Sequence, residues 1–150
     1  MRTEAAAEFA ALLLNMSADP VFPYESVYAS SEHLMMQKAR DEVLAAYRSR
    51  GFERADGLSI PEDHVGIELE FMARLCQEEL EALSAGNEGA TESARAAQRE
   101  FCERHLARWV PQLCDDLERR AKSGLYRGLA QMTRQFLAFE CEGFEECSLA

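Results

Sequence analysis

The chain has 150 residues, of which 47% are hydrophobic and 29% are charged. These proportions are typical of one soluble globular domain and exclude a disordered chain. Asp and Glu together number 27 against 16 Lys and Arg, so the formal net charge is −11. A surface this acidic repels nucleic-acid phosphates and favours a cationic partner, although an excess of one charge also simply keeps a protein soluble.

The five cysteines indicate a reducing compartment. Their number is odd and none forms a Cys-x-x-Cys pair, which is typical of reduced thiols and not of a disulfide framework. No apolar run approaches the length of a membrane span, and residues 10–14 are far too short for one. We therefore expect a cytoplasmic protein.

Helical periodicity begins near the amino terminus. Residues 4–14 are rich in Ala and Leu and predict a first helix. Pro20 and Pro23 then predict a structured loop over residues 19–30, because proline has no amide hydrogen and restrains the residue before it. A second helix is predicted over residues 31–50. Its apolar stripe would comprise Met36, Ala39, Val43 and Tyr47.

Pro61 predicts the start of a third helix. Proline is favoured at the first helical position, and Glu62 and Asp63 follow it where carboxylates offset the helix dipole. The apolar stripe of this helix would comprise Val65, Leu69, Met72, Cys76, Leu80 and Leu83. Residues 85–89 (Ala-Gly-Asn-Glu-Gly) then predict a flexible linker.

The last third of the chain predicts more helices. Thr91 is expected to open one of them, and Pro111 is expected to kink it or to start another. The last helix is predicted to begin near Gly124. Its buried face would comprise Leu125, Leu129, Met132, Phe136 and Phe139. About six helices with short connections and no strand pattern predict the all-α class, a compact helical bundle forming a single domain over residues 1–150.

The tetrapeptide at residues 61–64 (Pro-Glu-Asp-His) is the strongest local cluster that could carry chemistry. Two carboxylates and an imidazole in one helical turn suit acid–base chemistry or cation binding, but helix capping explains the same residues. Only Glu68 would join His64 as a metal ligand at i+4, which is a weak pattern. The chain has no nucleophile motif, glycine-rich phosphate loop or His-Glu-x-x-His motif, so we expect no enzyme activity, no cofactor and no metal site.

The proline-bearing loop contains an aromatic cluster of Phe22, Tyr24 and Tyr28. Packing of these rings onto the core under the loop is one interpretation. The other is one wall of a peptide groove, since aromatic side chains present large apolar surfaces to a peptide. The residues alone leave both interpretations open.

Three motifs, in order along the chain, resemble the TorD/DmsD family of redox-enzyme maturation chaperones. Residues 22–28 (Phe-Pro-Tyr-Glu-Ser-Val-Tyr) resemble the family's proline–aromatic–x-Ser-Val-aromatic motif, with Glu25 where small residues are common. Residues 61–66 (Pro-Glu-Asp-His-Val-Gly) resemble its Glu-Pro-x-Asp-His motif, and residues 105–111 match its His-Leu-x-x-Trp motif. The similarity covers residues 22–140.

The resemblance implies a cytoplasmic chaperone that binds the twin-arginine signal peptide of a molybdenum-containing oxidoreductase subunit. Such a chaperone holds the subunit back from export until its molybdopterin cofactor is installed. The first two motif segments are expected to lie together and to form the signal-peptide-binding surface. The residues nominated for it are Pro23, Tyr24, Ser26, Tyr28, Pro61, Glu62, Asp63 and His64. Carboxylates such as Glu62 and Asp63 can bind arginine in a bidentate manner, while Tyr and Met surfaces accept the apolar part of the peptide.

Two other functions remain open. A nitrate-reductase-type assembly chaperone has a similar helical fold but acts on an unexported subunit, and a nucleotide hydrolase would use Asp63 and His64. Family members usually have several more helices before the first motif, where this chain has only residues 1–21. We therefore expect a shortened member or a fragment, and we expect the uncovered helical face to pair with a second copy in a homodimer or an exchanged assembly.

Overall fold

The computed structural model describes residues 2–30, 34–36, 38–53, 57 and 59–147. These residues form seven α-helices, with a π-helical segment between the fifth and the sixth. The helices are α1 (Arg2–Leu13), α2 (Glu25–Ala29), α3 (Lys38–Ser49), α4 (Val65–Ser84), α5 (Glu88–Phe101), α6 (Ala107–Arg120) and α7 (Gly124–Cys147), and the π-helical segment spans Cys102–Leu106. One isolated antiparallel bridge is the only β-structure in the described ranges, so the all-α prediction is confirmed. Within the same ranges, no helix combines the length and the apolar character that crossing a membrane requires.

Helices α3 to α7 and the π-helical segment enclose one hydrophobic core. Trp109 and Phe71 are its largest fully buried side chains. The ring of Phe71 lies 4.8 Å from both the Tyr47 ring and the Phe101 ring, measured between centroids, so side chains from α3, α4 and α5 meet at one point. The short helix α2 packs against α3 and α6 at the edge of this core.

The segment predicted to be a loop contains α2, so the prediction is wrong for residues 25–29. Pro23 prevents helical hydrogen bonding only up to its own position, and Tyr24 after it has extended backbone angles (φ −128°, ψ 133°). A helical turn begins at the next residue. Because α2 has only five residues, contacts with distant parts of the chain must supply its stability.

Two helices begin later than the sequence predicts. Ser31, the predicted first residue of the second helix, lies outside the described residues, and α3 begins at Lys38. Met36 is exposed and has a positive φ of 60°, which an α-helix does not accommodate. The other three members of the predicted stripe are buried. Helix α4 begins at Val65 and not at Pro61, so the titratable tetrapeptide forms a turn that precedes the helix.

The buried face of α4 differs from the predicted stripe. Met72 is the only member of that stripe that is buried, and Cys76, Leu80 and Leu83 are exposed. The buried residues of α4 are Ile67, Glu68, Phe71, Met72, Leu75 and Ala82. A carboxylate therefore lies at the centre of the buried face, which a hydropathy pattern does not anticipate.

The linker predicted after α4 is a tight connection between two packed helices. Helix α4 ends at Ser84 and α5 starts at Glu88. Gly86 has a φ of +66°, which glycine adopts without strain, and the Asn87 side chain accepts a hydrogen bond from the N–H of Ala90 at 3.1 Å. The two helices pack along each other as a hairpin.

Helix α6 runs through Pro111 without ending there. Proline cannot donate to the carbonyl four residues before it, which here belongs to Ala107, the first residue of α6. The departure from α-geometry lies immediately upstream, in the π-helical segment. The predicted new helix thus begins four residues earlier than Pro111.

Helix α7 begins at Gly124 as predicted, but the prediction of its buried face is wrong. All five residues of the predicted face are exposed, whereas Ala130 and Leu137 are buried. Helix α7 packs mainly on α6. Periodicity identified an apolar stripe on this helix correctly, but it did not show which face meets the core.

Candidate functional site

The first two motif segments are joined by backbone hydrogen bonds. Tyr24 and His64 form an isolated antiparallel bridge. The N–H of Val65 donates to the carbonyl of Pro23 at 3.0 Å, and the N–H of Glu25 donates to the carbonyl of Asp63 at 2.9 Å. The starts of α2 and α4 are therefore fixed side by side, which brings Pro23, Tyr24 and Ser26 next to Asp63 and His64.

Asp63 is fully buried and holds the start of α2. Its Oδ2 accepts a hydrogen bond from the N–H of Ser26 at 3.0 Å and a second one from the hydroxyl of the same residue. The N–H groups at a helix start have no partner within the helix, so this carboxylate acts as a cap supplied from 37 residues away. Its side chain has no exposed surface to offer a peptide in this conformation.

Glu62 connects the same turn to α3. Its carboxylate forms an ion pair with the guanidinium of Arg40, and that hydrogen bond raises the pKa of Arg40. Its backbone carbonyl accepts a hydrogen bond from the hydroxyl of Tyr47 at 3.1 Å. Burial, followed by nearby carboxylates including Glu68 and Glu25, raises the pKa of Tyr47 above its usual range. Both polar ends of Glu62 are thus engaged inside the protein.

His64 caps α4 and presents part of its ring to solvent. Its Nδ1 accepts a hydrogen bond from the N–H of Gly66 at 3.0 Å. Burial lowers the pKa of His64, against an opposing effect from the charge of Asp63, and a neutral ring is the form that can accept this bond. The ring of Tyr24 stands edge-on to it at 5.2 Å between centroids. Both rings are half-buried, so they form a partly accessible aromatic pair.

Four residues from distant parts of the chain form a buried polar chain. The indole N–H of Trp109 donates to Glu68 at 3.0 Å, and Nδ1 of His105 lies 3.0 Å from Oε2 of Glu25. Burial and the charge of Glu25 raise the pKa of Glu68 well above its ordinary value, and a hydrogen bond between the two side chains contributes to that rise. Burial and the neighbouring carboxylate therefore favour the neutral form of Glu68.

Sequence reasoning did not find this buried chain. The ring of His105 is buried against Glu25. The i, i+4 spacing of His105 and Trp109 places both on one helix face and was the available signal. The spacing does not say that Glu25 and Glu68 are their partners, because those contacts join residues 41 and 80 positions apart.

An open cleft lies beside the first motif. It has a volume of about 550 Å³ and is lined by Asp19, Pro20, Phe22, Val27, Tyr28, Gln112, Asp115, Asp116, Arg119 and Arg120. The hydroxyl of Tyr28 donates to Asp116 at 3.0 Å, and Arg120 pairs with both Asp116 and Asp19 at 2.9 and 2.8 Å. Burial and the charge of Asp116 raise the pKa of Tyr28 above its usual range. The cleft therefore combines aromatic surface with partly exposed carboxylates.

A larger cleft lies elsewhere on the molecule. It has a volume of about 800 Å³ and separates α3 from α5 and the π-helical segment. Phe71, Phe101 and His105 contribute to its lining. None of the eight nominated residues, all of which lie within the described ranges, lines it. It is distinct from the place where the two motifs meet.

The nominated residues divide into two groups by exposure. Tyr24, Tyr28, Pro61 and His64 are half-buried and present part of their surface to solvent. Pro23, Ser26, Glu62 and Asp63 are buried. The hydrolase alternative depended on Asp63, which cannot contact a nucleotide in this conformation. In the ranges that the structure describes, no three His, Cys, Asp or Glu side chains are grouped as a metal site would require.

The chain is similar to known proteins over most of its length. A family model described as the nitrate reductase delta subunit matches residues 1–115. The TorD chaperone protein of Vibrio cholerae is 30% identical over 134 residues, which are 89% of this chain and 59% of that protein. The TorD chaperone protein of Vibrio parahaemolyticus is 27% identical over 135 residues, which are 89% and 60% of the two chains.

A shorter stretch is similar to a third protein. Over 56 residues the chain is 45% identical to the selenate reductase assembly chaperone protein of Thauera selenatis, covering 37% of this chain and 28% of that one. No solved structure matches the chain. The chain spans about three fifths of the length of the TorD proteins it matches.

Proposed function

The chain belongs to the TorD-like family whose model is described as the nitrate reductase delta subunit, and from this membership we propose that it is a cytoplasmic chaperone for a redox-enzyme subunit. Its client is a molybdenum-containing oxidoreductase subunit that carries a twin-arginine signal peptide. The chaperone binds that peptide and assists cofactor loading and assembly before export. The names of the similar proteins support a maturation role.

The pairing of Tyr24 with His64 is the observation that carries the proposal. These two residues come from the first two of the three motifs of the resemblance, and the backbone bridge between them puts those two motifs at one partly exposed place. Phe22, which is also exposed, precedes them and lines the neighbouring cleft. An extended apolar peptide segment would gain binding free energy from such a surface, because half-exposed aromatic rings lose little conformational freedom on binding.

The arginine pair of the signal peptide requires accessible carboxylates. Glu62 and Asp63 were the candidates from the sequence, but both are engaged inside the protein. The cleft offers Asp19 and Asp115, whose side chains are 72% and 58% exposed although each already contacts an arginine of this chain. We assign the paired guanidinium groups to these carboxylates, because a bidentate contact with an arriving arginine can replace an exposed ion pair at small cost.

The buried nominated residues then have a positioning role. Asp63 and Ser26 hold α2 against the turn before α4, and Glu62 anchors that turn to Arg40. They keep the Tyr24 and His64 rings in contact without touching the peptide themselves. Their substitution would alter binding through the shape of the surface and would also lower stability.

Calorimetric titration with a synthetic twin-arginine signal peptide tests the proposal. We expect a dissociation constant in the micromolar range or tighter, and weaker binding as salt is raised. The control peptide has both arginines replaced by alanine and should bind much more weakly. Equal binding of the two peptides, or binding of neither, would contradict the assignment of the guanidinium groups.

A second candidate function has one observation in its favour. The matching family model is described as a nitrate reductase delta subunit, which fits an assembly chaperone that acts on an unexported catalytic subunit. Such a chaperone would bind the folded or partly folded subunit and not its leader. Capture of a catalytic subunit that lacks any leader, combined with no binding of the signal peptide, would favour this function over the first.

A further inference from the structure

The chain carries an arginine pair of its own at the edge of the cleft beside the first motif. Arg119 and Arg120 are the last two residues of α6. Nε of Arg120 lies 2.8 Å from Oδ2 of Asp19, and its Nη1 lies 2.9 Å from Oδ1 of Asp116. Nη2 of Arg119 lies 3.0 Å from the same oxygen of Asp116. Two carboxylates of this cleft are therefore already paired with adjacent arginines of the chain.

The contacts of Arg120 can be exchanged for better ones. Its side chain is only 20% exposed, and both Nε and Nη1 are buried without a partner in hydrogen-bond geometry, so they form ion pairs by distance alone. Buried guanidinium nitrogens that lack hydrogen bonds cost free energy. Asp19, in contrast, is 72% exposed. An arriving arginine that binds Asp19 in a bidentate manner can displace Arg120, whose guanidinium then becomes hydrated.

Arg120 also stands between two clefts. Asp19, Arg119 and Arg120 line the cleft beside the first motif, and the same three residues line a second cleft of about 840 Å³. The contact of Arg120 with Asp19 therefore lies where the two clefts adjoin. Movement of the Arg120 side chain towards solvent would join them into one groove.

The second cleft lies between α1 and the connection from α6 to α7. Its apolar lining comprises Ala7, Ala11 and Leu12. Hydrogen bonds hold its two walls together, because Glu8 of α1 accepts from the N–H groups of Lys122 and Ser123 at 2.6 and 2.9 Å. The cleft thus keeps its shape without any contribution from Arg120.

We propose that Arg120 is a gate that occupies the carboxylates of the signal-peptide cleft in the free chain, and that an arriving arginine pair displaces it and joins the two clefts. This inference rests on the proposed function. The apolar stretch that follows the arginine pair of the peptide contacts Phe22 and the rings of Tyr24 and His64, as assigned above. The residues that precede the pair extend past Asp19 into the second cleft.

Calorimetric titration of variants with the synthetic twin-arginine peptide tests the gate. Arg120→Gln should bind about threefold to tenfold more tightly than the unmodified chain, because no internal guanidinium has to leave. Arg119→Gln should bind more tightly by a smaller factor, since Arg119 is 66% exposed and its loss frees only Asp116. This exposed position keeps the test decisive if Arg120→Gln does not fold.

Arg108→Gln is the matched control for charge. It removes one positive charge from an exposed position of the same helix that lines neither cleft. Its affinity should change by less than about twofold. Circular dichroism should show the same helical content for each variant as for the unmodified chain.

The results separate the gate from the proposed function. If the unmodified chain binds the peptide and neither Arg120→Gln nor Arg119→Gln binds it more tightly, the gate is refuted and the chaperone function stands. An equal gain in Arg108→Gln would also refute the gate, because overall charge would then explain the affinity. Binding by none of the proteins would overturn the gate together with the proposed function.

A bulky side chain in the second cleft tests the joined groove. Ala7→Trp should lower the affinity for the full peptide by at least about threefold, and it should leave unchanged the affinity for a peptide that begins at the first arginine. Ala6→Trp is the control, because Ala6 is exposed on the same helix but does not line the cleft. Unchanged affinity of Ala7→Trp for the full peptide would mean that the peptide does not enter the second cleft, and would refute the joined groove.

Discussion

The carboxylate of Asp63 caps helix α2 by accepting hydrogen bonds from both the backbone N–H and the hydroxyl of Ser26. The two residues come from different motifs, 37 positions apart. A five-residue helix cannot form stably in water by itself. Asp63 therefore supplies, from a distant segment, the hydrogen-bond acceptor that a neighbouring capping residue supplies in longer helices. The same bonds fix the two motifs relative to each other.

Replacing Asp63 by alanine should lower the free energy of unfolding. The change leaves the buried N–H and hydroxyl of Ser26 without this acceptor, and hydrogen bonds to a buried charge are among the strongest in proteins. We expect a loss of about 2–4 kcal/mol in urea denaturation. Asp41→Ala, at an exposed position on α3, is the control and should change stability little. An Asp63→Ala protein with wild-type stability and weakened signal-peptide binding would instead support direct contact between Asp63 and the peptide.

Replacing Glu68 by glutamine should change how stability depends on pH. Burial and the charge of Glu25, with a smaller effect of Asp63, raise the pKa of Glu68 well above its ordinary value of 4.5, although the bond from Trp109 opposes this. The neutral form is therefore favoured by folding. Its contribution to stability is fully present below about pH 4.5 and is lost as the pH rises through the raised pKa.

Glutamine keeps an oxygen that accepts from Trp109 and stays neutral at every pH. We expect Glu68→Gln to match the wild type near pH 4 and to exceed it in unfolding free energy at pH 8, by up to about 1.4 kcal/mol for each pH unit between the two pKa values of Glu68. Tryptophan fluorescence follows the transition, since Trp109 is the only tryptophan. Glu70→Gln, exposed on the same helix, should leave the pH profile unchanged. Parallel profiles for Glu68→Gln and the wild type would contradict a raised pKa.

Replacing His64 by asparagine should weaken signal-peptide binding without unfolding the protein. Asparagine is a favourable residue at the start of a helix and can accept from Gly66 in place of the imidazole. The aromatic contact with Tyr24 is lost, so the apolar surface becomes smaller. Asn87→Ser, a conservative change at the start of α5, should leave both binding and melting unchanged. Unaltered affinity in His64→Asn would remove the Tyr24 and His64 pair from the binding surface.

Replacing Asp19 by asparagine should weaken binding of the twin-arginine peptide and reduce its salt dependence. The carboxylate is highly exposed and its loss removes one attraction for a guanidinium group. We expect calorimetry to show a decrease in affinity of about twofold to fivefold. Asp41→Asn changes the net charge equally and lies outside the cleft. An equal decrease in both variants would mean that overall charge, and not the cleft, attracts the peptide.

Regular structure was the most predictable part of this protein. Periodicity is a local property, and it correctly indicated the helical class, the first helix and the start of α7 at Gly124. The starts of α3 and α4 were predicted too early. In α4, Pro61 offered a favourable first position, but the turn before the helix is held by the bridge of His64 to Tyr24. A contact between segments 40 residues apart overrode the local signal.

The sequence nominated the residues of the candidate site but did not predict how they are arranged. The resemblance nominated residues in two segments, and the structure joins those segments. The exposure of each residue did not follow from the motif. The sequence predicts that Asp63 and Glu62 are available to bind a peptide arginine, because acidic side chains are usually at the surface. In the structure, internal donors bind both of them.

Two properties were thus determined by the sequence alone, the all-helical character of the chain and the motif residues it contains. Tertiary structure decided which apolar face of α7 meets the core and which carboxylates are buried. The physical reason is the same in both cases. A helix with two apolar faces can bury either one, and a carboxylate can be buried only where distant donors offset its desolvation. Phe136 and Glu68 show the two outcomes, the first an exposed ring on a predicted core face and the second a buried acid beneath Trp109.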